Sequence, residues 1–115
     1  MVSLSASQAL GLWRDVCMVQ VQDDGPDLTL RQMAILLSVY LEPPPHTVRG
    51  LAARLDVGKP VITRALDAMS ARGLVARQRD ERDRRNVLIR RTVAGALHVE
   101  RLGDRIIRAG GALPW

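Results

Sequence analysis

The chain's most evident binding chemistry lies in residues 80–86, which alternate acids with three arginines, Arg82, Arg84 and Arg85. The segment is too polar to pack in a core, and two short runs that read as strands flank it, residues 74–79 and 87–91. Guanidinium groups held at the tip of a hairpin can bind phosphate oxygens or enter a narrow minor groove. The acids among them read as groups that orient the arginines rather than as general bases. We therefore predict a nucleic-acid contact at this tip.

A pattern typical of a helix–turn–helix precedes the hairpin. Such a unit needs a small residue where its helices cross, a turn residue that tolerates positive φ, and apolar residues that lock the second helix. Residues of these types stand at matching offsets: Ala52, Asp56, Val57 and Ile62. Glycine is commoner at the turn, but aspartate also adopts left-handed backbone at some cost. We predict a third helix over residues 48–55 and a fourth over residues 59–72, closed by Gly73.

The fourth helix would have an apolar face and a polar one. On a helical wheel the inward residues are Ile62, Leu66 and Met69. The outward and flanking residues are Lys59, Pro60, Thr63, Arg64, Asp67 and Ala71. Arg64 can bind the O6 and N7 acceptors of guanine, and Thr63 can contact a phosphate or a thymine methyl group. The alternative is that Arg64 and Asp67 form an ordinary solvated face.

Charge is distributed unevenly along the chain. Residues 1–45 carry a net charge of −3 and residues 46–115 a net charge of +8, within a formal total of +5. Residues 77–91 alone contain seven arginines and three acids. This concentration favours a polyanion as the partner. Codon bias is the alternative, since the chain has sixteen arginines and one lysine, but bias does not explain the uneven distribution.

Length and composition bound the class of protein. A chain of 115 residues fits one domain, residues 1–115, with a modest core that a partner subunit would help to stabilise. The longest apolar run, residues 33–41, is too short to cross a membrane, and the N-terminus lacks a signal-peptide pattern. One cysteine excludes an internal disulfide framework and suits a reducing compartment. We expect a cytoplasmic protein without a membrane segment.

Helix signals precede the helix–turn–helix. A first helix is expected over residues 5–22, with Trp13 on its apolar face, and residues 23–27 break it. A capping box of Thr29 and Gln32 begins a second helix, which three prolines at residues 43–45 end.

A last helix follows the hairpin. Thr92 is placed to cap it, and it would run to about residue 109. Its apolar residues Val99, Leu102 and Ile106 are spaced by three and then four residues, which is typical of one helix face. The fold class expected is mainly α with a small β-hairpin, a winged helix–turn–helix whose wing is the hairpin of residues 74–91.

The chain resembles the MarR family of winged-helix regulators over about residues 28–95. The stretches that carry the resemblance are residues 51–67, 73–75, 80–85 and 92–95. The family's wing motif, Asp-x-Arg-Asp-x-Arg, is complete here. The resemblance implies a regulator of transcription that binds duplex DNA, with the fourth helix in the major groove and Arg82 in the minor groove, braced by Asp80.

The resemblance also implies a homodimer, formed through residues 5–22 and 92–109. In two respects the sequence departs from the family: Gly58 stands where a serine usually caps the fourth helix, and the region after residue 92 is shorter than usual. Dimerisation through the first and last helices remains the expectation. An effector molecule that changes DNA binding is a further possibility that the sequence does not identify.

Other chemistry finds little support in the sequence. His46 and His98 have no second ligand at metal spacing, and no phosphate loop, nucleophile elbow or paired catalytic carboxylates can be identified. We therefore expect no enzyme activity, no metal and no cofactor. Cys17 reads as a small buried hydrophobe, with oxidant sensing as its alternative. A winged-helix module that binds a protein, with DNA binding incidental, is the alternative function.

Overall fold

A computed structural model describes residues 3–23, 25 and 27–113, which form five helices and three strands. These elements are α1 (Ala6–Gln22), α2 (Leu30–Leu41), β1 (His46–Thr47), α3 (Val48–Leu55), α4 (Lys59–Ala71), β2 (Val75–Arg79), β3 (Val87–Arg91) and α5 (Val93–Gly111). The predicted break after α1 includes Asp24 and Pro26, which lie outside the described residues. The described part of the chain divides into two compact units, one over residues 28–99 and one from the described parts of residues 1–27 and 100–115.

Side-chain caps begin several of the helices, as the local sequence predicts. The Thr29 hydroxyl accepts the Gln32 amide at 3.1 Å, and the Gln32 side chain accepts the Thr29 amide at 2.9 Å, which confirms the capping box. Ser5 makes the same arrangement at the start of α1. The Thr92 hydroxyl accepts the amide of Gly95 at 2.9 Å, which confirms Thr92 as the cap of α5. Each of these bonds satisfies amides that have no partner inside the helix.

The core of the larger unit forms where α2, α3 and α4 pack on the sheet. Its fully buried members are Ile35, Leu36, Val39, Ile62, Leu66 and Met69. Ile62, Leu66 and Met69 are the residues that the helical wheel places inward, so that prediction is confirmed. Val99, on the first half of α5, packs against the same core.

The sheet has one more strand than the sequence predicts. Its order is β1-β3-β2, and all neighbours are antiparallel. The expected hairpin is β2 and β3, with Val75 opposite Arg91 and Arg79 opposite Val87. The extra strand β1 places His46 opposite Ile89. A strand of two residues carries no periodicity, so the sequence could not reveal it.

The smaller unit contains α1 and the second half of α5. Within it Arg105 lies 3.1 Å from the Asp23 carboxylate. The apolar face of the last helix, through which dimerisation is expected, is partly covered within the single chain, since Leu102 is 4% exposed and Ile106 is 39% exposed. Cys17 is half-buried. The large apolar residues left exposed in this unit include Leu10, Trp13, Met18, Val21 and Ile107.

Candidate nucleic-acid interface

The turn between α3 and α4 adopts the conformation that a helix–turn–helix requires. Asp56 has φ 55° and ψ 50°, which is left-handed backbone, as its position in the sequence predicts. Its amide donates to the carbonyl of Ala53 at 3.3 Å, and the amide of Val57 donates to the carbonyl of Ala52 at 3.0 Å. These bonds close α3 and direct the chain into α4.

The start of α4 has an open cap. Gly58 occupies the N-cap position and supplies no side-chain hydrogen bond, and a proline follows in the first turn. Glycine at this position costs a helix only a few tenths of a kcal/mol relative to serine. The first amides of α4 are thus left without a side-chain acceptor from the cap residue.

One face of α4 is exposed along its whole length. The exposed side chains are Lys59, Pro60, Thr63, Arg64, Asp67 and Ala71, the set that the helical wheel places outward or on the flank. Within the described chain Arg64 has no hydrogen bond or ion pair. Its guanidinium therefore lies ready for an external acceptor.

Asp67 has a partner that the sequence does not predict. Its carboxylate lies 2.6 Å from the guanidinium of Arg77, at the centre of β2. The two side chains are 58% and 33% exposed. The outward face of α4 is therefore joined to the first strand of the wing.

The wing turn, residues 80–86, is held by its own acids. The amide of Asp80 donates to the carbonyl of Asn86 at 3.2 Å, which closes the turn. The Asp80 carboxylate accepts the Arg82 amide at 3.0 Å, and the Asp83 carboxylate accepts the Arg85 amide at 3.1 Å. Asp80 thus fixes the backbone of Arg82 and leaves its side chain unconstrained. The role of Asp80 as a brace for an inserted Arg82, which the family resemblance implies, stays a prediction.

The three wing arginines differ in the hydrogen bonds that their side chains make. The Arg85 guanidinium donates from two nitrogens to the Asp83 carboxylate, at 3.0 and 3.1 Å. These bonds hold the pKa of Asp83 below its usual range and raise the pKa of Arg85. The side chains of Arg82 and Arg84 are exposed and make no hydrogen bond or ion pair within the described residues. They are the cations of the turn that remain available to an anion.

Arg49 is a further basic residue near the wing that sequence reasoning missed. Thr47 pairs with Leu88 of β3, so the chain runs toward the wing turn as it enters α3. After the bonds to Arg85, the positive charge of Arg49 contributes to the lowered pKa of Asp83. The sequence does not indicate that Arg49 lies near Asp83, because this proximity depends on the pairing of β1 with β3.

Comparison with known proteins identifies the class. A sequence model of the MarR family matches residues 27–86, more than half of the chain. The chain therefore belongs to the MarR family, a class of transcriptional regulators rather than enzymes. No curated protein matches the chain.

Solved structures agree with this assignment. The transcriptional regulator Tm0710 from Thermotoga maritima is 25% identical, with a TM-score of 0.73 over 89% of this chain and 69% of its own. The PcaV transcriptional regulator from Streptomyces coelicolor is 26% identical, with a TM-score of 0.66 over 93% and 78%. Reduced AbfR bound to DNA, 24% identical, has the same fold, with a TM-score of 0.69 over 96% and 75%.

The described part of the chain offers neither a metal site nor a membrane-spanning helix. No group of three or more His, Cys, Asp and Glu side chains there could hold a metal ion. None of its helices is both long and apolar enough to span a membrane.

Proposed function

We propose that the protein regulates transcription in the cytoplasm by binding a specific duplex DNA sequence as a homodimer. In this proposal α4 enters the major groove and the wing turn enters the adjacent minor groove. The observation that carries it is a set of guanidinium groups without a hydrogen bond or ion pair among the described residues, Arg64 on the exposed face of α4 and Arg82 and Arg84 on the wing turn. These three cations thus lie on the exposed face of α4 and at the turn of the wing.

The face of α4 supports reading of base edges. Arg64 is exposed and has no ion pair among the described residues, and a guanidinium can donate two parallel hydrogen bonds to O6 and N7 of guanine. Thr63, beside it, can contact a phosphate or a thymine methyl group, and Lys59 and Pro60 lie at the helix start, close to the backbone of a bound duplex. Helix–turn–helix proteins bind the major groove with this end of the second helix.

The wing supports a minor-groove contact. A narrow minor groove has an enhanced negative potential that attracts inserted arginines. Asp80 accepts the Arg82 amide, and the Arg82 side chain has no hydrogen bond or ion pair among the described residues, which suits insertion. Arg84 can reach the flanking phosphates. Arg85 belongs to the same proposed contact, although its charge is shared with Asp83 in the free protein. A protein of the same fold, AbfR, has been solved bound to DNA.

Exposed apolar residues support a second copy as the partner subunit. Leu10 and Ile107 are 70% and 73% exposed, and Trp13 is 52% exposed. Large apolar side chains that a single chain leaves in water are often covered at an interface. A two-fold dimer would place two copies of α4 about one DNA turn apart, roughly 34 Å.

Selection from a randomised duplex pool followed by salt titration tests this function. A sequence-specific regulator enriches one inverted repeat, and its affinity falls steeply and linearly on a log–log plot as salt rises, because several arginines displace counterions. Failure to enrich any sequence, with affinity for duplex DNA nearly independent of salt, would reject the proposal. That result would favour the protein-interaction module instead.

A further inference from the structure

Asp67 is an anomaly on the surface proposed to meet DNA. It lies one turn after Arg64 on the exposed face of α4, and its side chain is 58% exposed. A carboxylate facing a duplex is repelled by the phosphates, so a helix that only needed affinity would omit it. A solvated acid with no task would be the simplest interpretation, but the ion pair with Arg77 argues against it.

The Arg77 side chain lies on the face of the sheet that packs against the helices, and this placement brings it to Asp67. Arg77 lies directly opposite Ile89 in the β2–β3 ladder, and directly opposite residues share one face of a sheet. Ile89 is buried on the face that packs against the helices. The stem of Arg77 therefore leaves the sheet on the helix side, and its guanidinium emerges at Asp67, 2.6 Å away.

The ion pair connects the two elements that carry the proposed DNA contacts. Asp67 stands near the middle of α4, three residues after Arg64, and Arg77 stands in β2, five residues before Arg82. The ion pair therefore joins the element that carries the proposed base reader to the strand that leads into the proposed minor-groove arginine. The Arg77 charge also offsets the repulsion between Asp67 and phosphates.

We propose that Asp67 and Arg77 are positioning residues for DNA recognition, which set the angle of the wing relative to α4 so that Arg64 and Arg82 engage one site together. This inference rests on the proposed DNA binding. In this proposal Asp67 contributes to specific DNA binding through its ion pair with Arg77, although its negative charge by itself would repel the phosphates.

The test measures coupling between the pair and the wing. The probes are the duplex that the unsubstituted protein enriches from a random pool and an unrelated duplex of equal length. Asp67→Asn and Arg77→Met each remove the ion pair while keeping side-chain size, and each should weaken binding to the enriched duplex about tenfold. The loss caused by Arg82→Ala should shrink to less than half in both backgrounds, because a wing that is no longer held delivers Arg82 poorly.

Arg79 provides the matched control. It lies two residues along β2 on the same face as Arg77, it is exposed, and it has no ion pair within the described residues. Arg79→Ala removes the same charge without breaking the pair. It should weaken binding to both duplexes by a similar factor and leave the effect of Arg82→Ala on binding unchanged. Arg77→Lys keeps a cation on a similar stem. Its affinity for the enriched duplex should therefore be closer to that of the unsubstituted protein than the affinity of Arg77→Met.

Two outcomes would overturn the inference while leaving the function intact. In one, Asp67→Asn binds both duplexes more tightly and equally, as expected of an acid that only repels phosphate. In the other, Arg82→Ala reduces affinity for the enriched duplex by the same factor in the unsubstituted protein and in the Asp67→Asn and Arg77→Met variants. A protein that enriches no duplex at all would instead reject the function on which the inference rests, so the two failures are distinguishable. Thermal melting of each variant confirms that the fold is retained.

Discussion

The hydroxyl of Tyr40 occupies the position where any residue larger than glycine at position 95 would place its Cβ. The same hydroxyl donates to the carbonyl of Leu74 at 2.8 Å and accepts the amide of Thr92 at 2.9 Å. It therefore links the end of α2 to both sides of the wing. The absence of a side chain at Gly95 is what allows α5 to begin close enough for these bonds.

Gly95→Ala should destabilise the protein by about 1–3 kcal/mol, because the new methyl group collides with Tyr40 and with the Leu74 carbonyl. Gly103 is the matched control, since it lies in the same helix and a Cβ there meets open space. Gly103→Ala should stabilise by about 0.5–1 kcal/mol, as expected in a helix interior. Chemical denaturation measures both, and equal effects of the two substitutions would contradict the assigned packing.

Arg82→Ala should weaken binding to the enriched duplex by roughly 1–3 kcal/mol and leave the thermal midpoint almost unchanged. The side chain makes no hydrogen bond or ion pair within the described residues, so its loss should act mainly on the complex. Arg31→Ala, on an exposed position of α2, is the charge-matched control and should change affinity little. If the titration at moderate salt gives unaltered affinity for Arg82→Ala, the wing has no part in binding.

Arg64→Ala should relax base preference at one position in each half-site, because a bidentate contact to guanine carries sequence information. Lys59→Ala should instead reduce affinity for all duplexes by a similar factor, as expected when a phosphate contact is lost. Random-site selection with both variants separates these outcomes. A consensus identical to that of the unsubstituted protein would remove Arg64 as a base reader.

The Asp83 carboxyl should titrate below its usual range, since hydrogen bonds from Arg85 lower its pKa. A lowered pKa means that its contribution to wing order is present at neutral pH and is lost as pH falls through the lowered value. Arg85→Ala should raise the pKa of Asp83 by more than Arg49→Ala does, because the Arg85 bonds are the largest cause. Carboxyl NMR titration measures each, and a larger shift in Arg49→Ala would contradict the order of causes.

Replacing Leu10 and Ile107 together with aspartate should yield monomers that keep weak, non-specific DNA affinity and lose binding to the inverted repeat. Both side chains are at least 70% exposed in the single chain, so the substitutions spare the fold. Leu102 is unsuitable for this purpose, since it is buried. Light scattering on the unsubstituted protein at micromolar concentration is decisive, because a monomer there would exclude the proposed homodimer.

Local signals allowed the helices and the wing to be predicted. The caps at Thr29 and Thr92, the left-handed turn at Asp56 and the polar turn between two strand-like runs each depend on residues close together in sequence. The outward face of α4 follows from helical periodicity alone. These features are set by backbone geometry that neighbouring residues determine.

Features that depend on long-range pairing escaped prediction. The pair of Asp67 and Arg77 requires the register of the hairpin relative to α4, and the approach of Arg49 to the wing requires β1, a strand of two residues. Periodicity identifies an apolar face on α5, but it does not show that the single chain itself buries Leu102 on that face. Such facts follow from tertiary packing rather than from local propensity.

The wing turn is folded by its own carboxylates before any ligand arrives. Since Asp80 and Asp83 already hold the amides of Arg82 and Arg85, contact with a duplex would need to order only arginine side chains. Association should therefore show no heat-capacity signature of coupled folding at the wing. Its rate should approach the limit set by electrostatically steered diffusion, without a slower step in which a disordered loop condenses onto DNA.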